Sequence, residues 1–292
     1  MRGKILRRFA PQNDIFSSLL GERKHPLARI VLPGRGKTGG IAGRSAIDVE
    51  QAITVLSELV YGSRCPVCQV RRSASVSGLC ETCEGALTPR REARCPRCAV
   101  RLGPHVPVEE RCSHCRTQSF RFRSARGLFT YDGPVRRQIH AAKFQRQYAV
   151  GQNLAATFAR GTRREDIPSE VSLIVSVPMF WWDRRVRGMN LSEELAGALA
   201  GTHHLKHDAG LLRQLRPSGP QFTLSSAARF LNVQGLFAVR AGRDLRGRTL
   251  LLVDDVMTTG ATASECARIL REAGAKAVHV AVLARTEPLQ AR

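Results

Sequence analysis

Eight cysteines fall in four Cys-x-x-Cys pairs within 51 residues: Cys65/Cys68, Cys80/Cys83, Cys95/Cys98 and Cys112/Cys115. Each pair is a short knuckle that aims two sulfurs at one point. Two knuckles complete a tetrahedral site of four sulfurs, which suits Zn²⁺ and leaves no open position. The segments between the pairs hold 11, 11 and 13 residues, enough for a small hairpin, and Pro66 and Pro96 stiffen two of the knuckles. A disulfide framework needs an export signal. The first twenty residues are basic without a continuous apolar core, so a cytoplasmic chain is expected. A redox motif needs one pair, not four in series. The spacing therefore predicts two structural zinc ions, one on Cys65, Cys68, Cys80 and Cys83, the other on Cys95, Cys98, Cys112 and Cys115; a crossed pairing of the knuckles is the alternative. Such ions do no chemistry. They replace a core that about 50 residues cannot build alone. His105 and His114 read as loop residues, and Cys266 stands apart in a helical stretch.

Charge narrows the partners. The 292 residues carry 46 Lys+Arg against 24 Asp+Glu, a net of +22, and only six of the 46 are Lys. Arg presents a planar donor fork that fits phosphate, so polyphosphate or nucleic acid is the expected partner class. A genome that favours Arg over Lys accounts for the Arg excess but not for the scarcity of acids. Residues 51–120 hold ten basic and six acidic side chains, and two tetrathiolate zinc sites bring that segment to about zero. The excess lies elsewhere: 26 against 14 over 121–292, and ten against four over 1–50. Hydrophobic residues at 43% and charged residues at 24% exclude wholesale disorder. No stretch approaches the ~18 apolar residues of a membrane helix, so no membrane span is expected.

Residues 1–45 read as a basic tail. Gly34-Arg35-Gly36-Lys37-Thr38 is not a phosphate-binding loop, because Val31 occupies the place of the required first glycine. A helix is predicted over 46–60, so 46–120 forms a helix plus double zinc ribbon. From 121 to 292 apolar strands (126–131, 171–177, 249–253, 278–283) alternate with helical stretches (135–146, 153–160, 191–199, 263–273). That alternation predicts an α/β fold with a mainly parallel sheet.

The segment Leu250–Thr262, LLLVDDVMTTGAT, carries the chemistry. An apolar strand ends in Asp254-Asp255, and a Thr/Gly-rich loop leads into a helix. Ligands of such sheets bind outside the carboxyl ends of the strands. The loop can turn backbone N–H groups and hydroxyls toward a phosphate at a helix N-terminus. Two carboxylates beside a phosphate repel it, so they need another partner; a sugar diol, with or without Mg²⁺, provides one. The residues point to a ribose phosphate. An acidic turn followed by a helix cap is the bland alternative for Asp-Asp alone.

The run Val253-Asp254-Asp255-Val256-Met257-Thr258-Thr259-Gly260-Ala261-Thr262 resembles the phosphoribosyl pyrophosphate (PRPP) motif of type I phosphoribosyltransferases. With the Cys knuckles, Tyr131–Arg137, Lys143-Phe144, Val177-Pro178, Arg187–Asn190, Gln221, Asn232 and Phe237, residues 60–286 resemble the ComF family, linked to DNA uptake in natural competence. The resemblance implies a type I phosphoribosyltransferase fold behind a double zinc ribbon. It implies that Asp254 and Asp255 hold the ribose hydroxyls and organise Mg²⁺. Val256 to Thr262 would hold the 5′-phosphate region, with Lys143 near the sugar phosphate. Arg184, Arg185 and Arg187, in a loop after Val177-Pro178, would face pyrophosphate, and 213–235 would be a mobile hood. Two departures stand out. Phe180 replaces the His of the usual Val-Pro-Leu-His-Pro, and Asn190-Leu191 replaces Asn-Gln. Trp181 and Trp182 are packing residues or a stacking platform for a base.

Between Phe120 and Tyr148, seven basic residues and one acid interleave with six aromatics. These are ingredients of single-strand binding, and equally of a core with a solvated basic face. His140 reads as a helix-face residue. Three functions follow: a Mg²⁺-dependent transferase using PRPP, a non-catalytic single-stranded-DNA-binding accessory protein, or a PRPP-sensing regulator without turnover.

Overall fold

The structure, a computed structural model, describes residues 64–71, 79–89, 92–103, 112–116, 118–218 and 226–287, all within one compact unit, Val49–Arg292. The expected tail over 1–45 and helix over 46–60, as well as His105 and Gln221, lie outside the described residues.

Two short helices, α1 (Glu81–Gly85) and α2 (Ser113–Arg116), accompany the Cys knuckles. The order then runs β1 (Ser124–Thr130), α3 (Gly133–Phe144), α4 (Tyr148–Gly161), β2 (Val171–Ser176), α5 (Trp181–Arg187) and α6 (Leu191–His203). It continues through β3 (Leu212–Gln214), α7 (Ser226–Val233), β4 (Phe237–Val239), β5 (Thr249–Met257), α8 (Ala261–Glu272) and β6 (Ala277–Arg285). The main sheet has the order β1-β6-β5-β2 and all its pairings are parallel. β3 and β4 form a separate antiparallel pair.

The central strands read as near-continuous apolar runs because both their faces are covered. All nine residues of β6 are buried, and eight of nine in β5. Alternate residues sort by face. Leu250, Leu252, Val278, Val280 and Val282 pack with α8 and the cluster around Cys95–Cys115. Leu251, Val253, Ala281 and Leu283 pack with α3, α4, α6 and the cluster around Cys65–Cys83. Each Cys cluster thus shares a core with one face of the sheet. Cys266 is a core residue of α8, and burial pushes its thiol pKa well up.

Two elements differ from the sequence reading. β5 does not end at the carboxylates; its ladder with β6 continues through Asp254↔Val282, Val256↔Ala284 and Met257↔Arg285. The acids signalled a turn because ionised groups resist burial, yet strand pairing carries them inside. The segment expected as a loop after Val177-Pro178 is helix α5, closed by Gly188 in the left-handed conformation at φ 82°. Of the expected hood over 213–235, the described residues include the end of β3 and all of α7, and 219–225 lie outside them.

The eight cysteines gather in the expected sets. In each, one sulfur per residue lies within 4.8 Å of the others. Cys68 and Cys80 sulfurs are 3.4 Å apart, Cys98 and Cys112 3.4 Å, and Cys95 and Cys115 3.7 Å. Four ligands at about 2.3 Å from a tetrahedral zinc would stand about 3.8 Å from one another, so both sets fit the ion and neither spacing is that of a disulfide. Among the described residues, no helix is long and apolar enough to cross a membrane. Because the second Cys set shares its core with β5 and β6, stripping metal with a chelator should loosen the sheet as well as the ribbons. Amide exchange in 278–283 should accelerate by at least about tenfold; unchanged exchange there would show the ribbons to be energetically separate.

Candidate functional site

Asp254 and Asp255 lie near the carboxyl end of β5 and are both buried. Burial demands partners for two carboxylates. Lys143, in the last turn of α3, puts Nζ 2.7 Å from Asp255 Oδ1. Ser192, in the first turn of α6, donates to Asp254 Oδ1 at 3.0 Å and stands 3.5 Å from Asp255 Oδ2. The Asp255 backbone N–H donates to Asp254 Oδ1 at 2.9 Å. Three elements separated in sequence therefore converge on one pair of acids. Asn190 fixes the approach of α6, its amide donating to the Val177 carbonyl at 3.1 Å.

Beyond β5 the chain turns into α8. Gly260 takes φ +84°, and a Cβ there would meet Phe120 Cε1 at 2.8 Å, so both conformation and space select glycine. Thr259 Oγ1 accepts from the Ala261 N–H at 3.3 Å, and the Ser264 N–H reaches the Gly260 carbonyl at 2.8 Å. The loop is thereby held at the N-terminus of a 12-residue helix, where partial positive charge collects. Thr258 is exposed, Thr259 and Gly260 buried.

A cleft of about 200 Å³ opens over the acids, bordered by Lys143, Arg187, Gln214, Asp254, Asp255 and Thr262; Thr258, Thr259, Gly260 and Ala261 do not border it. Arg187 also stacks over Phe144, 4.8 Å from the ring centre. The structure separates the other expected arginines from the cleft. Arg184 is engaged by Glu193 at 2.6 and 3.2 Å, and Arg185 is exposed and does not border the cleft. Trp181 and Trp182 do not pack in a core; they are 60% and 56% exposed. Of the interleaved aromatics, Phe120, Phe122 and Phe129 are buried while Phe144 and Tyr148 are exposed. A larger cavity, about 820 Å³, lies near the amino ends of the strands, between the first Cys cluster and β1. It lacks the paired acids, and ligands of open parallel sheets bind at the other end. Ser192 was not legible in the sequence. A serine at a helix start is ordinary, and only the fold sets it beside the acids.

Residues 56–116 match the double zinc ribbon domain and 205–290 the phosphoribosyl transferase domain. The chain is 31% identical over 231 residues to the DNA utilization protein YhgH of Escherichia coli, covering 76% of this chain and 96% of that protein. The chain belongs to the ComF family. It is also 24% identical over 229 residues to competence protein F of Haemophilus influenzae, covering 77% and 98%. Competence protein ComFC of Streptococcus pneumoniae is 26% identical over 211 residues, covering 72% and 88%.

In this ComF protein the buried Asp254 carries a perturbed carboxyl. Burial, then the charge of Asp255, push the Asp254 carboxyl up to about 7; Lys143, the Asp255 N–H and Ser192 oppose this only in part. The unfolded carboxyl titrates near ~3.9, so the folded chain binds an extra proton between the two values. Stability from this group is full below ~4, falls as pH rises and levels off above ~7. Asn cannot ionise, so the melting temperature of Asp254→Asn relative to wild type should rise between about pH 4 and pH 7. A difference that stays flat over that range would show that Asp254 titrates as an ordinary carboxyl.

Proposed function

We propose that this ComF protein binds PRPP or another phosphorylated ribose with Mg²⁺ and transfers its phosphoribosyl group to a nitrogen nucleophile. The observation that carries the reading is the buried Asp254-Asp255 pair beside a glycine-bent loop at the start of a helix, both at the carboxyl end of a central strand.

Asp254 and Asp255 accept hydrogen bonds from a ribose diol. Lys143 holds one carboxylate oxygen and offsets the repulsion between the acids and a phosphorylated ligand. Thr258 to Thr262 supply N–H and hydroxyl donors for the 5′-phosphate. Arg187 stands at the cleft for the pyrophosphate that leaves as the anomeric C–O bond breaks and the C–N bond forms. The nitrogen's proton passes to solvent. Mg²⁺ carried with the ligand would supply charge neutralisation, and two carboxylates are the donors such an ion takes from a protein when substrate oxygens and water complete its shell.

Titration of PRPP with Mg²⁺ into the zinc-loaded protein, followed by calorimetry, should give saturable binding. An Asp254→Ala/Asp255→Ala double variant should bind at least about a hundredfold more weakly, because it loses both diol acceptors. Equal affinity in the two proteins would end this reading. Pyrophosphate release across a panel of bases then separates a transferase from a sensor that binds without turnover.

A second reading has its own observation. Trp181, Trp182, Phe144, Tyr148 and Val186 are exposed, and Arg146, Arg185 and Arg187 accompany them. Exposed aromatics among cations favour stacking on a single strand. On this reading single-stranded DNA binds with an affinity that falls steeply with salt, and Trp181→Ala/Trp182→Ala weakens it by roughly tenfold. No binding at low salt would remove it.

A further inference from the structure

Arg285, the last residue of β6, is 1% exposed and is the largest fully buried side chain among the described residues. A buried guanidinium is costly unless its donors are matched. No carboxylate among the described residues forms an ion pair with it; its partners are backbone carbonyls. Nε donates to Cys98 O at 2.9 Å. Nη1 donates to Met257 O at 2.9 Å, to Thr258 O and to Thr286 O at 2.6 Å. One side chain therefore joins the second Cys cluster to the last residue of β5 and the first residue of the loop assigned above to phosphate.

The direction of these bonds matters. No peptide bond here is cis, and in a trans peptide the N–H points opposite the preceding carbonyl. With the Met257 and Thr258 carbonyls turned toward Arg285, the N–H groups of Thr258 and Thr259 face away from it. Among the described residues, no acceptor takes the N–H of Thr258, Thr259 or Gly260. Fixing the carbonyls thus leaves a run of donors oriented and free.

The same cluster braces the loop once more, and the segment beside it holds the following helix. Arg97, between Cys95 and Cys98, donates to the Phe120 carbonyl at 2.7 Å and to that of Phe122, and Phe120 packs against Gly260. The Arg121 N–H donates to Ser264 Oγ, in α8, at 3.0 Å. A metal-loaded set of four thiolates carries two negative charges, which would add to the Glu287 carboxylate as counter-charge for Arg285.

We infer that Arg285 is a positioning residue: it orients the phosphate-binding backbone and couples it to the second cysteine cluster, so that ligand at the loop and metal in that cluster stabilise each other. The inference rests on the loop being a phosphate site. Lysine in its place keeps the charge but has no fork to hold Cys98 O and Met257 O together.

The test uses the zinc-loaded full chain, with ribose 5-phosphate and inorganic phosphate as probes. Arg285→Lys should bind ribose 5-phosphate roughly tenfold more weakly, the usual scale for a group that supports a binding residue. It should still hold two zinc ions per chain. Leu199→Ala, in the core of the opposite sheet face, serves as a control of lowered stability and should keep wild-type affinity. In wild type, ribose 5-phosphate should slow chelator-driven loss of the second zinc, since coupling is reciprocal; this arm needs no variant. Equal affinity in Arg285→Lys and wild type, an equal loss in Leu199→Ala, or zinc release indifferent to ligand would overturn the proposal. Should wild type bind neither probe, the phosphate reading fails first. The clamp is then judged without ligand by N–H order parameters of Thr258, Thr259 and Gly260, which should fall in Arg285→Lys and which, if unchanged, dismiss it.

Discussion

The burial of β5 and β6 on both faces governs everything at the site. A strand enclosed in this way carries polar side chains only at a cost, and each one must be matched. Asp254 and Asp255 continue the β5 ladder past its apolar run. Lys143, Ser192 and a backbone N–H meet them because α3 and α6 pack on the same sheet face. The raised Asp254 carboxyl is a direct consequence: burial costs the charged form more than those partners return.

The Cys clusters are part of the same logic. They are too small to hold a core of their own, and the structure provides them with the two faces of the sheet as partners. The second cluster lies behind the loop that follows β5. Its carbonyl at Cys98, its neighbour Phe120 and the buried Arg285 form one connected wall against that loop. Metal sites with no chemistry of their own can still shape a binding site when they supply the rigid surface behind it.

The exposed side of the cleft has a different character. α5 presents Trp181, Trp182, Val186 and Arg185 outward, while Arg187 alone of its arginines turns to the cleft. Helical spacing is the reason: a loop could have aimed all three arginines at one ligand, whereas a helix distributes them around its axis. The Phe180 departure falls at the start of this helix, at its N-cap position.

Some of this was legible in the amino-acid order. The Cys-x-x-Cys spacing determines that the two sulfurs of each pair meet, because two residues between ligands fix a knuckle whatever surrounds it, while the structure chose which knuckles combine. The apolar run at 250–253 and that at 278–283, interrupted only by His279, determine central parallel strands, because only covered strands tolerate them. Gly260 between Thr259 and Ala261 determines a bend before a helix. The tertiary structure alone decided the rest. Ser192 and Arg285 stand beside the acids and the loop because packing carried α6 and the end of β6 to the same place as β5, and no local pattern encodes a contact 62 residues apart or one between Cys98 and Arg285. The exposure of Trp181 and Trp182 was likewise settled by where α5 docks, since an aromatic residue is equally at home in a core or on a binding surface.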